Sequence, residues 1–403
     1  MEKTKTNIKK EYAVLLLSAV TVAVLCGGVG ALFYHTLKFA NRLFGQYSWL
    51  IFLLPVGGLL TVLIYNALKL SKTDTHCVLN SVKTNDNISL WLTPAVFTGT
   101  VITQLLGGSA GKEGAALQIG GSIGSSLSRL FKLNGEKYKV LLLCGMSAVF
   151  ASVFTLPLTA LAFGLEIVFI SRKFYFKAIF PLSVATFGAY GVARLLGVHP
   201  ERFTIGDLPP FDTLTFLKVV ALILICSAGA IIFCLSLQGV HILFYKLFKN
   251  NYLRVTVGGF IIIFLTVIIG KTDYNGGGMH IIEYVLNGGQ TVLWAFALKV
   301  LFTSITNASG FKGGEIVPAL FVGATLGSSA AITLGLPPIF GAALGMVTVF
   351  GGTTKCMVAA LFLGFEFFGF SAIGYFLLAI VVAQTVTSKF GIFNKNSKKG
   401  CNA

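Results

Sequence analysis

The stretch Gly107-Gly108-Ser109-Ala110-Gly111-Lys112-Glu113-Gly114 limits what this chain can fold into more than any other. It sets an ammonium and a carboxylate inside a region otherwise suited to lipid, because residues 89–106 before it and 115–127 after it carry no charge. An ionisable group at that depth is costly and marks a functional site by default. The glycines let the backbone turn and come close to a ligand. Irregular backbone at membrane depth survives only where it is buried in protein or lines a cavity. The segment therefore reads as a broken helix. Its new N-terminus, at Lys112-Glu113-Gly114, turns free N–H groups into a cavity, and such an end attracts anions.

Composition agrees with a membrane setting. Of 403 residues 55% are hydrophobic and only 11% charged, which excludes an ordinary soluble domain. The net charge of +17 sits mostly in short polar connections, so it reads as positive-inside bias and attraction to anionic lipid, with no nucleic-acid partner. The basic start (Lys3, Lys5, Lys9, Lys10) before an apolar run too long for a signal peptide places the N-terminus in the cytoplasm. The seven cysteines show no metal spacing and read as small packing residues.

The chain divides into a basic segment (1–11), a first membrane repeat (12–197), a linker rich in proline and charge (198–211), a second membrane repeat (212–394) and a polar tail (395–403). Apolar helices are expected at about 12–36, 46–70, from about 89 into the first break, 114–131, 138–153, 156–170, 175–196, 212–248, 253–270 and 291–307, with further helices to about 388. The halves echo one another in order. Lys72-Thr73-Asp74 returns as Lys271-Thr272-Asp273, Ser109 and Gly114 as Ser309 and Gly314, Gly145-Met146 as Gly345-Met346, and Phe163-Gly164-Leu165-Glu166 as Leu363-Gly364-Phe365-Glu366. Internal repeats with paired, glycine-interrupted segments place a transport site at the repeat interface. The pair here is 107–114 and 308–318.

Glu113 has two readings: a structural carboxylate tied to backbone amides, or a gate. As a gate, its ionised form fills the anion's place and its protonated form yields it, so that anion and proton exchange. In the second break Pro318 suits a first helical turn, which frees the amides of Ile316 and Val317, and Glu315 caps this end or stabilises the turn. Thr75 offers a hydroxyl to an anion or caps a helix, and Asp74 caps. Glu166 and Glu366 read as repeat-related structural carboxylates. An intramembrane enzyme would need a nucleophile–base or metal constellation, and the five histidines form none.

These residues resemble the CLC superfamily of chloride channels and anion/proton antiporters. Gly111-Lys112-Glu113-Gly114, continued by AALQIGG, is similar to the family's G(K/R)EGPxxQIG motif, and Gly314-Glu315-Ile316-Val317-Pro318 to its GxFxP motif. The resemblance covers roughly residues 12–394. It implies an all-α polytopic fold of tilted and broken helices in an inverted repeat. It also implies a homodimer with one pore per subunit in a bacterial inner membrane. Glu113 would be the external gate. Thr75, Gly111, Lys112, Gly114, Ile316, Val317 and Phe393 would serve a bound fluoride or chloride, with no cofactor and no metal. Several departures resemble the bacterial fluoride/proton antiporter branch. Ile167 stands where the chloride exchangers carry an internal proton glutamate, the second motif is of GGE type, and the GSGIP motif is replaced by residues 72–76. Phe393 stands where the family usually has an anion-binding tyrosine, and the positive edge of its ring suits a small anion. The function implied is fluoride export in exchange for protons; the alternative is a chloride/proton antiporter or passive chloride channel of the same fold.

Overall fold

The computed structural model describes residues 2–168, 171–206, 208–210 and 212–393, and among these the regular elements are all helices, with one isolated bridge between Gly111 and Gly314. The first half contains α1 (Glu2–Gln46), a 3-10 turn (Ser48–Leu53), α2 (Leu54–Ala67), α3 (Thr75–Thr84), α4 (Leu92–Leu105), α5 (Glu113–Leu130), α6 (Glu136–Phe154), α7 (Pro157–Glu166) and α8 (Arg172–Leu195). The second contains α9 (Thr213–Leu247), α10 (Asn251–Ile269), α11 (Met279–Leu286), α12 (Ala295–Ser309), α13 (Ile316–Leu334), α14 (Pro338–Thr354), α15 (Met357–Phe368) and α16 (Ile373–Val386). Among the described residues seven segments are long and apolar enough to cross a membrane, α1 from Glu11 and α9 being the longest. The helices expected from the second break to about residue 388 are four, α13 to α16. α13, α14 and α15 each end on a residue of positive φ: Gly335 (66°), Lys355 (66°) and Gly369 (78°). The residues expected as a separate basic segment continue α1 back to Glu2.

The core is built on glycine contacts. A Cβ on Gly120 of α5 would stand 2.1 Å from the carbonyl of Gly145 in α6, and one on Gly323 of α13 would stand 2.4 Å from that of Gly345 in α14. Apolar helices without a solvent-driven reason to associate gain most from such close backbone approach. The α5–α6 pair in one half thus repeats as α13–α14 in the other. This repeat also corrects the register read from the letters. Gly120 matches Gly323 and Gly111 matches Gly314, three residues beyond the constant offset of 200 that matched Gly114 with Gly314. The second break is longer between its serine and its glycines (Gly310-Phe311-Lys312), so the counterpart of Glu113 is Ile316 and that of Lys112 is Glu315.

The halves are stapled reciprocally. The carboxylate of Glu366 at the end of α15 accepts from the amides of Leu158 and Thr159 at the start of α7 (both 2.9 Å) and from the Thr159 hydroxyl (2.7 Å). Glu166 at the end of α7 accepts from the amides of Val358 (3.0 Å) and Ala359 (2.9 Å) at the start of α15. Each acid satisfies the orphan N–H groups of the opposite helix and complements its dipole. The structural reading of this pair of acids is met. The linker is also held: Phe203 N–H donates to Phe367 O (2.8 Å) and the Tyr375 hydroxyl to Pro209 O (3.0 Å). Cys26, Cys144, Cys226, Cys234 and Cys356 are buried thiols, in keeping with the packing role; Cys401 lies outside the described residues, as does the tail 395–403.

Candidate functional site

The two breaks meet. Gly111 N–H donates to Gly314 O (2.7 Å) and Gly314 N–H to Gly111 O (2.9 Å), an antiparallel, self-complementary bridge of the kind a two-fold axis between inverted repeats produces. Polar side chains of neighbouring helices hold both loops in place. The Ser109 N–H donates to the Thr306 hydroxyl of α12 (3.1 Å), and the Ser109 hydroxyl lies 3.0 Å from that of Thr303. In return the Lys312 N–H donates to the Thr103 hydroxyl of α4 (3.2 Å). Serine and threonine are suited to this because their short hydroxyls reach loop amides without disturbing their own helices.

α5 and α13 start on either side of the bridge, so their unpaired N-terminal amides converge. The carboxylate of Glu113 sits between them. Its Oε1 accepts from the Val317 N–H in a short hydrogen bond, and the Ile316 amide and its own amide also bear on it. Oε2 is buried and takes no hydrogen bond. Glycine is required on both walls: a Cβ on Gly111 would lie 2.2 Å from Oε2, and one on Gly314 would lie 1.9 Å from it and 2.7 Å from the Gly114 N. The side chain thus stands where a helix-bound anion would.

Thr75 opens α3, and Asp74 caps that helix by accepting from Cys77 N–H (2.8 Å). The Thr75 hydroxyl accepts instead from Gln118 Nε2 (2.9 Å), and a Cβ on Gly114 would stand 3.2 Å from it. Thr75 therefore borders the α5 terminus and does not cap α3, whose N-cap is Asp74. Phe393 packs edge-on against His76 (centroids 6.2 Å apart) and Phe163 (6.3 Å), on the α3 side of the cluster.

Two expected ligands are placed otherwise. The Gly111 amide is consumed by the bridge and has nothing left for an anion. The Lys112 ammonium turns away, donating to Val153 O (3.3 Å) and lying over the rings of Phe154 and Tyr34 (4.7 and 5.1 Å). Adjacent residues at a helix start point in different directions, so only its charge reaches Glu113. Glu315 stands at the N-cap of α13 without capping it, and accepts from Asn307 Nδ2 (3.1 Å). Three participants escaped sequence reasoning: Gln118, Asn275, which donates to Gly107 O (2.7 Å), and the buried Lys299. Lys299 had a usable signal, since it is a single charge in the apolar run 295–303, the same argument that picked out Glu113. Among the described residues no group of three or more His, Cys, Asp and Glu stands close enough to hold a metal ion.

Two opposed helix starts, a carboxylate seated on their amides and a hydroxyl beside them make a chain that can bind a small anion and exclude it with its own acid. Comparison with known proteins agrees. The chain is 31% identical over 384 residues to a chloride/fluoride channel protein of Pseudomonas syringae pv. tomato, covering 93% of this chain and 84% of the relative. It superposes on the crystal structure of a CLC-type fluoride/proton antiporter with a TM-score of 0.88 and 29% identity, over 94% of this chain and 97% of the other. A slow cyanobacterial Cl−/H+ antiporter, 21% identical, shares the fold (TM-score 0.79, 93% and 94% covered). Residues 70–388 match the model of the voltage gated chloride channel family, and with its paired broken helices and its inverted halves the chain belongs to that family, the CLC proteins.

Proposed function

We propose that this protein exports fluoride in exchange for protons, with Glu113 as the gate that couples the two. The observation that carries the reading is the Glu113 carboxylate seated on the Val317 amide at the start of α13. Ionised, the acid holds the seat; protonated, it releases it to an anion, so a proton on Glu113 and an anion on the amides alternate. Fluoride is the smaller and harder halide and suits a tight cluster of N–H and O–H donors. Gly114, Thr75, Ile316 and Val317 line the vacated seat, and Phe393 presents its ring from the α3 side. The relatives named for fluoride support the choice of ion. The protein works in a bacterial inner membrane with its N-terminus in the cytoplasm, as a homodimer with one pathway in each copy. Outward-facing Phe176, Ile179 and Phe180 of α8 provide apolar surface for lipid or for the second copy.

The test is efflux from proteoliposomes loaded with fluoride or chloride, with proton movement followed alongside. Wild type should move protons against fluoride, and Glu113→Gln should abolish that coupling. Proton-driven transport that survives in Glu113→Gln removes the gate assignment. A chloride flux equal to or above that of fluoride selects the chloride transporter.

A further inference from the structure

We propose that Lys299 supplies a fixed positive charge to the anion seat and positions the turn that closes it. Lys299 is 0% exposed, on α12. Its ammonium donates to Tyr274 O (3.1 Å) and Gly276 O (2.8 Å) and lies 5.3 Å from the centre of the Phe321 ring. Carbonyls and a ring face orient an ammonium without cancelling its charge. Neither ion pair found among the described residues involves it.

The turn it holds, residues 274–278, lies on the first break. Asn275 Nδ2 donates to Gly107 O (2.7 Å), and a Cβ on Gly277 would stand 3.8 Å from Ala110 O and 3.6 Å from Val317 Cγ1. Gly278, the next residue, would place a Cβ 3.2 Å from the Lys299 Nζ. One glycine turn therefore separates the ammonium from Val317, whose amide holds Glu113. Lys112 and Glu315 each directly neighbour a residue of the seat along the chain, and Asp273 and His280 flank the turn that Lys299 holds. Lys112 turns its ammonium toward Phe154 and Tyr34, whereas Lys299 is held by the turn that lies against Val317 and Ala110.

A fixed charge acts on both occupants of the seat, the anion and the Glu113 carboxylate. Removing it weakens both, so the competition between them hides the loss. Removing Glu113 first exposes it. This follows from the reading of the amide cluster as an anion seat, and requires neither fluoride export nor proton exchange. The experiment is fluoride binding to the full-length purified protein by calorimetry. In wild type, Lys299→Met should change the dissociation constant by less than about twofold. In the Glu113→Gln background it should weaken binding roughly tenfold, the order expected of one nearby unit charge in a partly screened interior. Lys299→Arg should bind as its parent in both backgrounds. Asn275→Ala, which loosens the same turn and leaves the charge, should not reproduce the difference between backgrounds. Equal weakening in the two backgrounds, the same pattern from Asn275→Ala, or no loss in Glu113→Gln/Lys299→Met each overturns the proposal. If Lys299→Met does not fold, Lys299→Gln carries the same comparison. Absence of fluoride binding to Glu113→Gln itself overturns the anion seat and this proposal with it.

Discussion

The first and second breaks share one backbone plan and differ in what stands at the first helical residue. In α5 that residue is Glu113, and its carboxylate folds back over the bridge onto the other break. In α13 it is Ile316, and the nearest acid, Glu315, stands one position earlier and is taken up by Asn307. One position along a helix start rotates a side chain by about 100°. The repeat therefore provides two sets of amides and only one acid that reaches them. Symmetry builds the seat, and a single departure from symmetry makes it titratable.

The two wall glycines test this contrast most strongly. Gly314→Ala would press on the backbone of α5 as well as on the Glu113 carboxylate. Backbone cannot give way as a side-chain end can, so fluoride efflux should fall by about a hundredfold, the scale of an ångström-sized misplacement. Gly111→Ala meets only the end of the Glu113 side chain, which can swing out. That variant should keep efflux within about tenfold of wild type and lose most of its proton coupling. Equal loss in both variants would show that the two walls are equivalent and break the comparison.

The reciprocal staples give a smaller and more even effect. Glu166→Gln and Glu366→Gln should each lower stability by about 1–2 kcal/mol, read as a lower melting temperature in detergent, because each strips charge-assisted bonds from a helix start. Glu366 accepts one more bond than Glu166, from the Thr159 hydroxyl, so its variant should be the less stable. The reverse order would mean that the two half-structures are held by something other than these caps. The smallest effect is expected of Thr75→Val, which removes the acceptor of Gln118 and a hydroxyl near the seat. Fluoride affinity should drop a few-fold with coupling intact, and lost coupling would instead make Thr75 part of the gate.

Much of this was legible in the letters, for identifiable reasons. A carboxylate among uncharged residues, glycines on either side of it and a second glycine break ahead of Pro318 are local patterns, and each marks chemistry that lipid would not otherwise tolerate. The breaks, the convergence on residues 113 and 316–317 and the structural part played by Glu166 and Glu366 were all read that way. The register between the halves was not. A fixed offset matched Gly114 with Gly314, yet hydrogen bonding pairs Gly111 with Gly314, because three residues are gained in a loop whose length no periodicity constrains.

Composition, spacing and the position of single charges therefore determined that this chain spans a membrane as two related halves with broken helices at their junction. They also determined that Glu113 is the acid at that junction. Only the folded chain decided where side chains point from those helix starts. It spent the Gly111 amide on a bridge, turned Lys112 toward two aromatic rings, and set Lys299 against a turn that touches Gly107 and Val317. The reason is physical: local sequence fixes which backbone groups go unpaired, but their partners lie some two hundred residues away and are chosen by packing between the halves.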